Sequence, residues 1–500
     1  MKTSNKNIMK IFSALLALLL ALPLIFSCNT AGNLKNPDIT NSAKENETAA
    51  ENTVSSTEAA EPNIPVTDMN GKEFNILVMN YAGYAPLNIM DIDVPELNGE
   101  VLNDAAYNRN LYMEQTYNCK INTIVYANNY SDLNKMVKPI KAGDPTYDLC
   151  VVRAIDYLSV LTQGLLVNLN ETPNINTDNP WWDKKTADAM SLGKKNYGLL
   201  GDYSTSVMNC IWNTYFNKQL LEDFGLEDPY ALVKDGKWTI DKMYEMSKGV
   251  AADVNGDGKR DTEDRYGIAH IVDSPTSLLN SFGERFADID ANGMPYFSFT
   301  TDSAFTKFIH ITEIFKDHDT CFNAHFRTND ASKYEAQMFI HNQALFCLGG
   351  IYYGPEMRTM DSEYGILPYP KYDETQKEYY NATVVVALPF ITIPQTNTNL
   401  ENTGLFLEAY AYQGYKNIRP AFYDIVLQRK IARDNESADM LNFIFNNIFI
   451  DIGAMYNFGG ISTAINQMGG KGDTNIASYV EKNQDKINAD IQKFIDVMTK

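Results

Sequence analysis

Apolar positions form one nearly unbroken run from Ile11 to Phe26, thin out, and return from Glu73 onward in strand-like and helix-like spacings. Glu73 to Met79 reads as a strand behind the turn at Asn70-Gly71. Val101 to Tyr117 sets Leu102, Ala105, Ala106, Arg109, Leu111, Tyr112 and Met113 at helical spacing, and Cys119 to Tyr126 follows as a second strand. A helix over Ser131 to Ala142, stopped by Gly143, leads into a buried strand at Tyr147 to Val152 and a further helical stretch at Ile155 to Thr162. Strand, helix, strand, helix, strand predicts an α/β, doubly wound body. Beyond it the pattern predicts a helix at Asn217 to Phe224 and a helix of about eleven residues capped by Thr239. A helix at Phe305 to Phe315, a strand at Ala344 to Leu348 running into Gly349-Gly350, and an apolar segment at Val384 to Ile393 follow, before a helix-rich carboxy-terminal part.

Length changes this picture little: 500 residues at 44% hydrophobic content suffice for one large or two medium domains. Charge excludes more. With 63 Asp and Glu against 42 Lys and Arg, a net charge of −21 and an isoelectric point near 4.7, the chain lacks the basic surplus that phosphate backbones or anionic membranes demand. No nucleic-acid partner is expected.

The amino-terminal run has the form of a secretory signal, with Lys2, Lys6 and Lys10 ahead of the apolar stretch. Ile25-Phe26-Ser27-Cys28 resembles a bacterial lipobox, which implies cleavage of residues 1–27 and a diacylglycerol on the Cys28 sulfur. Losing three lysines and no acid would take the net charge from −21 to −24. Residues 28–65 form the lipidated cysteine and a tether; from Asn29 to Pro65 no aromatic residue occurs, too little apolar surface to fold. Such a flexible tether spans about 35 Å root-mean-square. The expected location is the extracytoplasmic face of a cell membrane, held by lipid.

Five cysteines remain, Cys119, Cys150, Cys210, Cys321 and Cys347, an odd number with no CxxC spacing; Cys150 and Cys347 read as small buried apolar residues. The histidines form no HxxxH or HExxH pattern, and neither GxSxG nor a phosphate-binding glycine loop is present, so no catalytic set is expected. The strongest local motif is acidic. Asp253, Asn255, Asp257, Asp261 and Asp264 stand at positions 1, 3, 5, 9 and 12 of a loop with Gly258 at position 6, and the Lys259 carbonyl is the seventh-position ligand. Calcium takes six to eight hard oxygens around a sharp turn, which this spacing offers. Asp264 reaches less far than the usual Glu, and Arg265 to His270 reads as extended rather than helical. A structural Ca2+ clamp is therefore expected rather than a sensor.

Several stretches then occur in a telling order: Ala142-Gly143-Asp144 with Tyr147-Asp148-Leu149, Asn179-Pro180-Trp181-Trp182-Asp183, Phe216-Asn217-Lys218, Gly236-Lys237-Trp238-Thr239, and Tyr364-Gly365-Ile366-Leu367-Pro368 with Pro370-Lys371. Together, from about Lys72 to the end, they resemble the extracellular solute-binding proteins of ABC importers, the carbohydrate-type group that contains maltose-binding protein. The resemblance implies a two-lobed periplasmic-binding-protein-like fold of type II, a monomer whose lobes are each discontinuous and close on a ligand in the cleft between them. It implies crossings near Met208 to Phe216, His341 to Gly349 and Ala411 to Tyr415. Lobe 1 would then hold residues 66–207 and 343–412, and lobe 2 residues 208–342 and 413–500.

The implied partners are a carbohydrate, such as an oligosaccharide, and the transmembrane subunits of a permease. Because doubly wound folds bind ligands beyond strand ends, the resemblance and that rule together select Asn80, Tyr81, Arg153, Asp156, Asp202, Tyr203, Gly350, Tyr352, Tyr353, Tyr456 and Asn457. Trp181 and Trp182 read as a sugar platform or as packing. The alternatives are a secreted glycan-active enzyme using calcium and an acid pair, and an envelope lipoprotein that senses its ligand.

Overall fold

The first sheet grows from the apolar run after Asn70-Gly71. β1 (Lys72–Tyr81) buries Phe74 and Ile76 to Met79, and pairs in parallel with β2 (Cys119–Asn128) and β3 (Leu149–Arg153). The crossovers are right where the apolar spacing put them: Val101–Tyr117 between β1 and β2, and Asn134–Lys141 between β2 and β3. β12 (Pro389–Thr392) returns from late in the chain and closes the sheet antiparallel to β3, giving the order β12-β3-β1-β2. Leu400–Gln413 covers one face, with Phe406 stacked on Phe74 at 4.1 Å.

The second sheet has five strands. β4 (Trp212–Asn217), β5 (Tyr266–His270), β8 (Cys321–Asn323), β9 (Ala344–Gly350) and β10 (Tyr364–Leu367) stand in the order β10-β4-β9-β5-β8. β9 lies at its centre, antiparallel to β4 and parallel to β5, and every one of its residues is buried. Thr239 caps Ile240–Lys248 by accepting from the Lys242 N–H. Trp238, fully buried, packs on Phe346 of β9 at 5.2 Å. Two short pairs complete the strands: β6 (Ala287–Ile289) with β7 (Pro295–Phe297), and β11 (Asn381–Ala382) with β13 (Ile448–Phe449).

The computed structural model describes residues 62–81, 88–89, 91–128, 132–328, 330, 333–385, 387–423, 425 and 434–499; of Tyr81, Ala127 and Asn128 it describes the backbone alone. The expected signal sequence, Cys28 and almost all of the tether lie outside these residues. Residues Asn63–Lys500 form one compact unit. Among the described residues no helix is long and apolar enough to cross a membrane.

Two expected crossings are corrected. The return near His341 to Gly349 does not occur there, because β9 is hydrogen-bonded inside the second sheet; residues 343 to about 382 belong to that lobe rather than to the first. The chain goes back between β11 and β12, where the Ala154 N–H donates to Leu388 O. The crossing at Ala411 to Tyr415 also falls later. Leu400–Gln413 runs without a break through a π-helical turn, Gly414–Ile418, into Arg419–Tyr423, all on the first lobe. Ile418 packs against Ala106 of the first crossover helix. By Asn435–Asn446 the chain is on the second lobe, where Ser437 bonds Tyr230 at 2.7 Å. Residues 413–423 thus belong to the first lobe.

Candidate functional site

A groove runs between the lobes. Its larger part, about 500 Å3, is lined by Lys185 and Ala189 of the first lobe and by Arg285, Asp288, Tyr380 and Phe449 of the second. A part of about 300 Å3 adjoins it through the shared Lys185, Ile448 and Ile450, and reaches Trp181, Trp182, Asp202, Arg419, Tyr423 and Phe445. Flat rings and a few polar groups facing from both lobes suit a solute that is apolar on its faces and polar at its edges.

The first-lobe wall is fixed by one buried carboxylate. Glu408 accepts from the Trp182 indole N–H at 2.9 Å, from Asn179 Nδ2 at 2.5 Å and from the Asn176 N–H at 3.3 Å. Burial pushes its carboxyl up from the usual value, and these donors pull it back. Trp181 leans on the rings of Tyr412 and Tyr415. Gly201 leaves the room the pair needs, since a Cβ there would meet Trp181 O at 2.5 Å and the Trp182 ring at 2.7 Å. Asp183 caps the helix Lys184–Met190 through the Thr186 N–H, which turns Lys185 to the groove.

Asp202 and Arg419 meet at 3.3 Å on this wall. Burial pushes Asp202 up to about 6, against the pull of the guanidinium. The π-helical turn sets the approach: Gly414 packs so closely that a Cβ would lie 1.8 Å from Asp202 O. Opposite, Arg285 is held over the Phe449 ring at 4.4 Å, and its Nε donates to Ile450 O at 3.4 Å.

Of the residues selected from sequence, Trp181, Trp182 and Asp202 line the groove. The others lie elsewhere. Asn80 pins Ile89 through both its N–H and its carbonyl. Tyr81 ends β1. Arg153 and Asp156 form a buried ion pair at 2.7 Å. Tyr203 donates to Pro389 O, and its own carbonyl accepts from Arg109. Gly350, Tyr352 and Tyr353 sit inside the second lobe; the Tyr353 hydroxyl donates to Glu335, and Trp212 meets Tyr352 edge-on. Tyr456 stacks between Tyr157 and Phe494. Asn457, at φ 47°, caps the following helix through the Ser462 N–H. Lys185, Arg285, Tyr380, Arg419 and Tyr423 were not selected; the doublets Tyr379-Tyr380 and Phe422-Tyr423 are the only signal they leave in sequence.

At the strand ends of the second sheet lies a small polar cavity of about 20 Å3 beside Trp212, Asp273, Ser277 and Asn466. Burial raises Asp273 to about 6, and Asn466 Nδ2 donates to it at 2.9 Å. Each of the five described cysteines is buried and free, and burial pushes their thiols up.

In the acidic loop, Asp253 accepts from the Gly256 and Gly258 N–H groups, Asn255 from Asp257, and Asp257 from Lys259. Asp264 is turned inward onto the Val254 and Asp261 N–H groups, with Arg260 at 3.7 Å, while the Asp261 carboxylate accepts from the Glu263 N–H. Among the described residues no group of three His, Cys, Asp or Glu side chains is arranged to hold a metal.

The architecture is that of two-lobed, type II periplasmic binding proteins. Solved structures carry the likeness: an ABC substrate-binding protein of Listeria monocytogenes in complex with cycloalternan (TM-score 0.55, 12% identity, 85% of this chain and 100% of that one). The galacto-N-biose-/lacto-N-biose I-binding protein of a Bifidobacterium longum ABC transporter, with lacto-N-biose, matches at TM-score 0.56 and 13% identity over 85% of this chain and 98% of that one. A Streptomyces glaucescens receptor solved unliganded and with acarbose matches at TM-score 0.52 and 11% identity over 86% and 99%. No family model matches the chain, and no curated protein matches it.

Proposed function

We propose that the chain is a lipid-anchored extracytoplasmic receptor that captures an oligosaccharide and delivers it to an ABC permease, without chemistry of its own. The observation that carries this reading is the groove, lined from both lobes by Trp181, Tyr423 and Tyr380 together with charged side chains. The solved proteins of the same fold, held in complex with cycloalternan, acarbose and lacto-N-biose, support the solute class. A ligand touching both lobes stabilises their closed arrangement by its differential contacts, which is the signal a permease would read. Cys28, in its lipobox context, supplies the anchor.

Thermal unfolding of the compact unit Asn63–Lys500 against a panel of mono- and oligosaccharides tests this. At a hundred times its dissociation constant a ligand adds about 2.7 kcal/mol, a shift of several degrees. Stabilisation by a glycan without its cleavage is the expected result. Silence across the panel would remove the sugar-receptor reading.

The acidic loop belongs to the same proposal as a Ca2+ clamp, with Asp253, Asn255, Asp257, the Lys259 carbonyl, Asp261 and Asp264 as ligands. Its support is the spacing of oxygens around Gly258; binding would require those carboxylates to trade backbone N–H partners for the ion. Millimolar Ca2+ should raise the midpoint relative to chelator, and an unchanged midpoint would strike the ion from the reading.

A further inference from the structure

The charges of the groove do not balance evenly along its length. Lys184 is occupied by Asp178 at 2.7 Å and Asp188 at 3.3 Å, and Arg419 by Asp202. Asp183 is spent on its helix cap. Asp288 accepts from the Ile289 N–H. Those bonds leave both carboxylates charged, so in the larger part Lys185 and Arg285 stand against Asp288 alone, one cation in excess. Among the described residues no carboxylate ion-pairs with Lys185 of the first lobe or Arg285 of the second, and both line the larger part of the groove. In a chain with a 21-charge acidic excess, two cations outside any ion pair, one from each lobe in one groove, are a specific arrangement rather than a background.

Arg285 is also preorganised. Its guanidinium carbon stands 4.4 Å from the Phe449 ring centre, and Nε is used on Ile450 O. Its two Nη amino groups have no described protein acceptor. A stacked guanidinium fork with free donors matches the paired oxygens of a carboxylate or sulfate, while a lysine supplies a mobile point charge to the same anion. Tyr380 lines the same part, offering a ring face for the sugar that would carry the charge.

The geometry points to an anionic sugar as the solute: a glycan whose acidic group is held between Lys185 and Arg285 while its rings lie toward Tyr380 and the tryptophan wall. This rests on the receptor reading above and names its substrate class. Because each cation comes from a different lobe, the anion ties the lobes together, so charge recognition and closure are one event.

The test is calorimetry on Asn63–Lys500 with three probes of similar size: an oligogalacturonate, a sulfated oligosaccharide and a neutral trisaccharide. The wild-type chain should bind an acidic probe more tightly than the neutral one, and weaken between about 20 and 200 mM salt as the Debye length shrinks. The two acidic probes separate carboxylate from sulfate as the source of the anion. Arg285→Gln and Lys185→Gln should each weaken the acidic probe at least about tenfold and the neutral one by a smaller factor. Lys185 is exposed on its helix, so its variant folds even where loss of the Arg285 stack does not allow it. Tighter neutral binding, or acidic binding indifferent to both variants, would overturn the anionic assignment and leave the sugar receptor standing. Binding of none of the three would overturn both.

Discussion

Two aromatic pairs, Trp181-Trp182 and Tyr352-Tyr353, are equally buried and yet do different work. The tryptophans form a wall: Glu408 holds one indole edge, Gly201 clears the space, and the groove lies alongside. The tyrosines fill a hole. A Cβ on Gly349 or Gly350 would stand 2.4 Å from the Tyr353 ring or 2.2 Å from the Tyr352 ring, so the glycines at the end of β9 exist to admit them. Each pair also has a carboxylate near it that burial raises to about 6: Asp202 by the tryptophans, countered by Arg419, and Asp273 beneath Tyr352, countered only by a neutral amide. Exposure does not distinguish a binding surface from a core in such a fold. What the far side of the ring touches does.

Tyr353→Ala should break the contrast most severely. It removes a buried ring and strands Glu335, and should cost about 3–5 kcal/mol in a urea titration, while the protein that remains folded binds solute as before. Asp273→Asn should act in the opposite direction. Its folded pKa near 6 exceeds the ordinary 3.8, so between those values the native state holds a proton that the unfolded chain has lost. The contribution of Asp273 to stability should therefore fall as pH rises from about 4 to 6, and the amide should raise stability at pH 7 relative to wild type by up to roughly 3 kcal/mol.

Glu408→Ala, on the tryptophan side, leaves the Trp182 N–H and Asn179 without their acceptor. A loss of about 1–3 kcal/mol is expected, with weaker solute binding, the mark that separates this wall from the tyrosine pair. Lys184→Ala should do least. Its pairs with Asp178 and Asp188 are exposed, and such pairs contribute under about 1 kcal/mol, so neither midpoint nor affinity should move measurably.

Much of the fold was readable from local signals. The strand run Glu73 to Met79, the stop at Gly143 and the cap at Thr239 each state their own conformation through one or two residues. Partnership is another matter. Ala344 to Leu348 reads as a buried strand in either lobe, because a run buried on both faces names no neighbour; only the ladders to β4 and β5 assign it.

The groove was less legible still. Lys185 and Arg285 are brought to facing walls by two separate sheets, with no spacing in sequence to announce it. The strand-end rule did point to a real edge, but that edge also has backbone to satisfy. Asn80, Tyr203 and Asn457 are polar there because Ile89, Pro389 and Ser462 need their bonds.

The π-helical turn at Gly414–Ile418 makes the close seat of Gly414 on Asp202 a matter of residue count. A π turn is an α-helix carrying one surplus residue, so the stretch stores a spare position between the sheet-packed half of the helix and the half that ends at the groove. Deleting one residue of the turn would restore ordinary winding and leave the helix beyond it nearly in phase, while removing the widened turn that seats Gly414 against Asp202. A one-residue change of length is thus absorbed inside the turn, and the stretch that carries Arg419 keeps its face toward the groove.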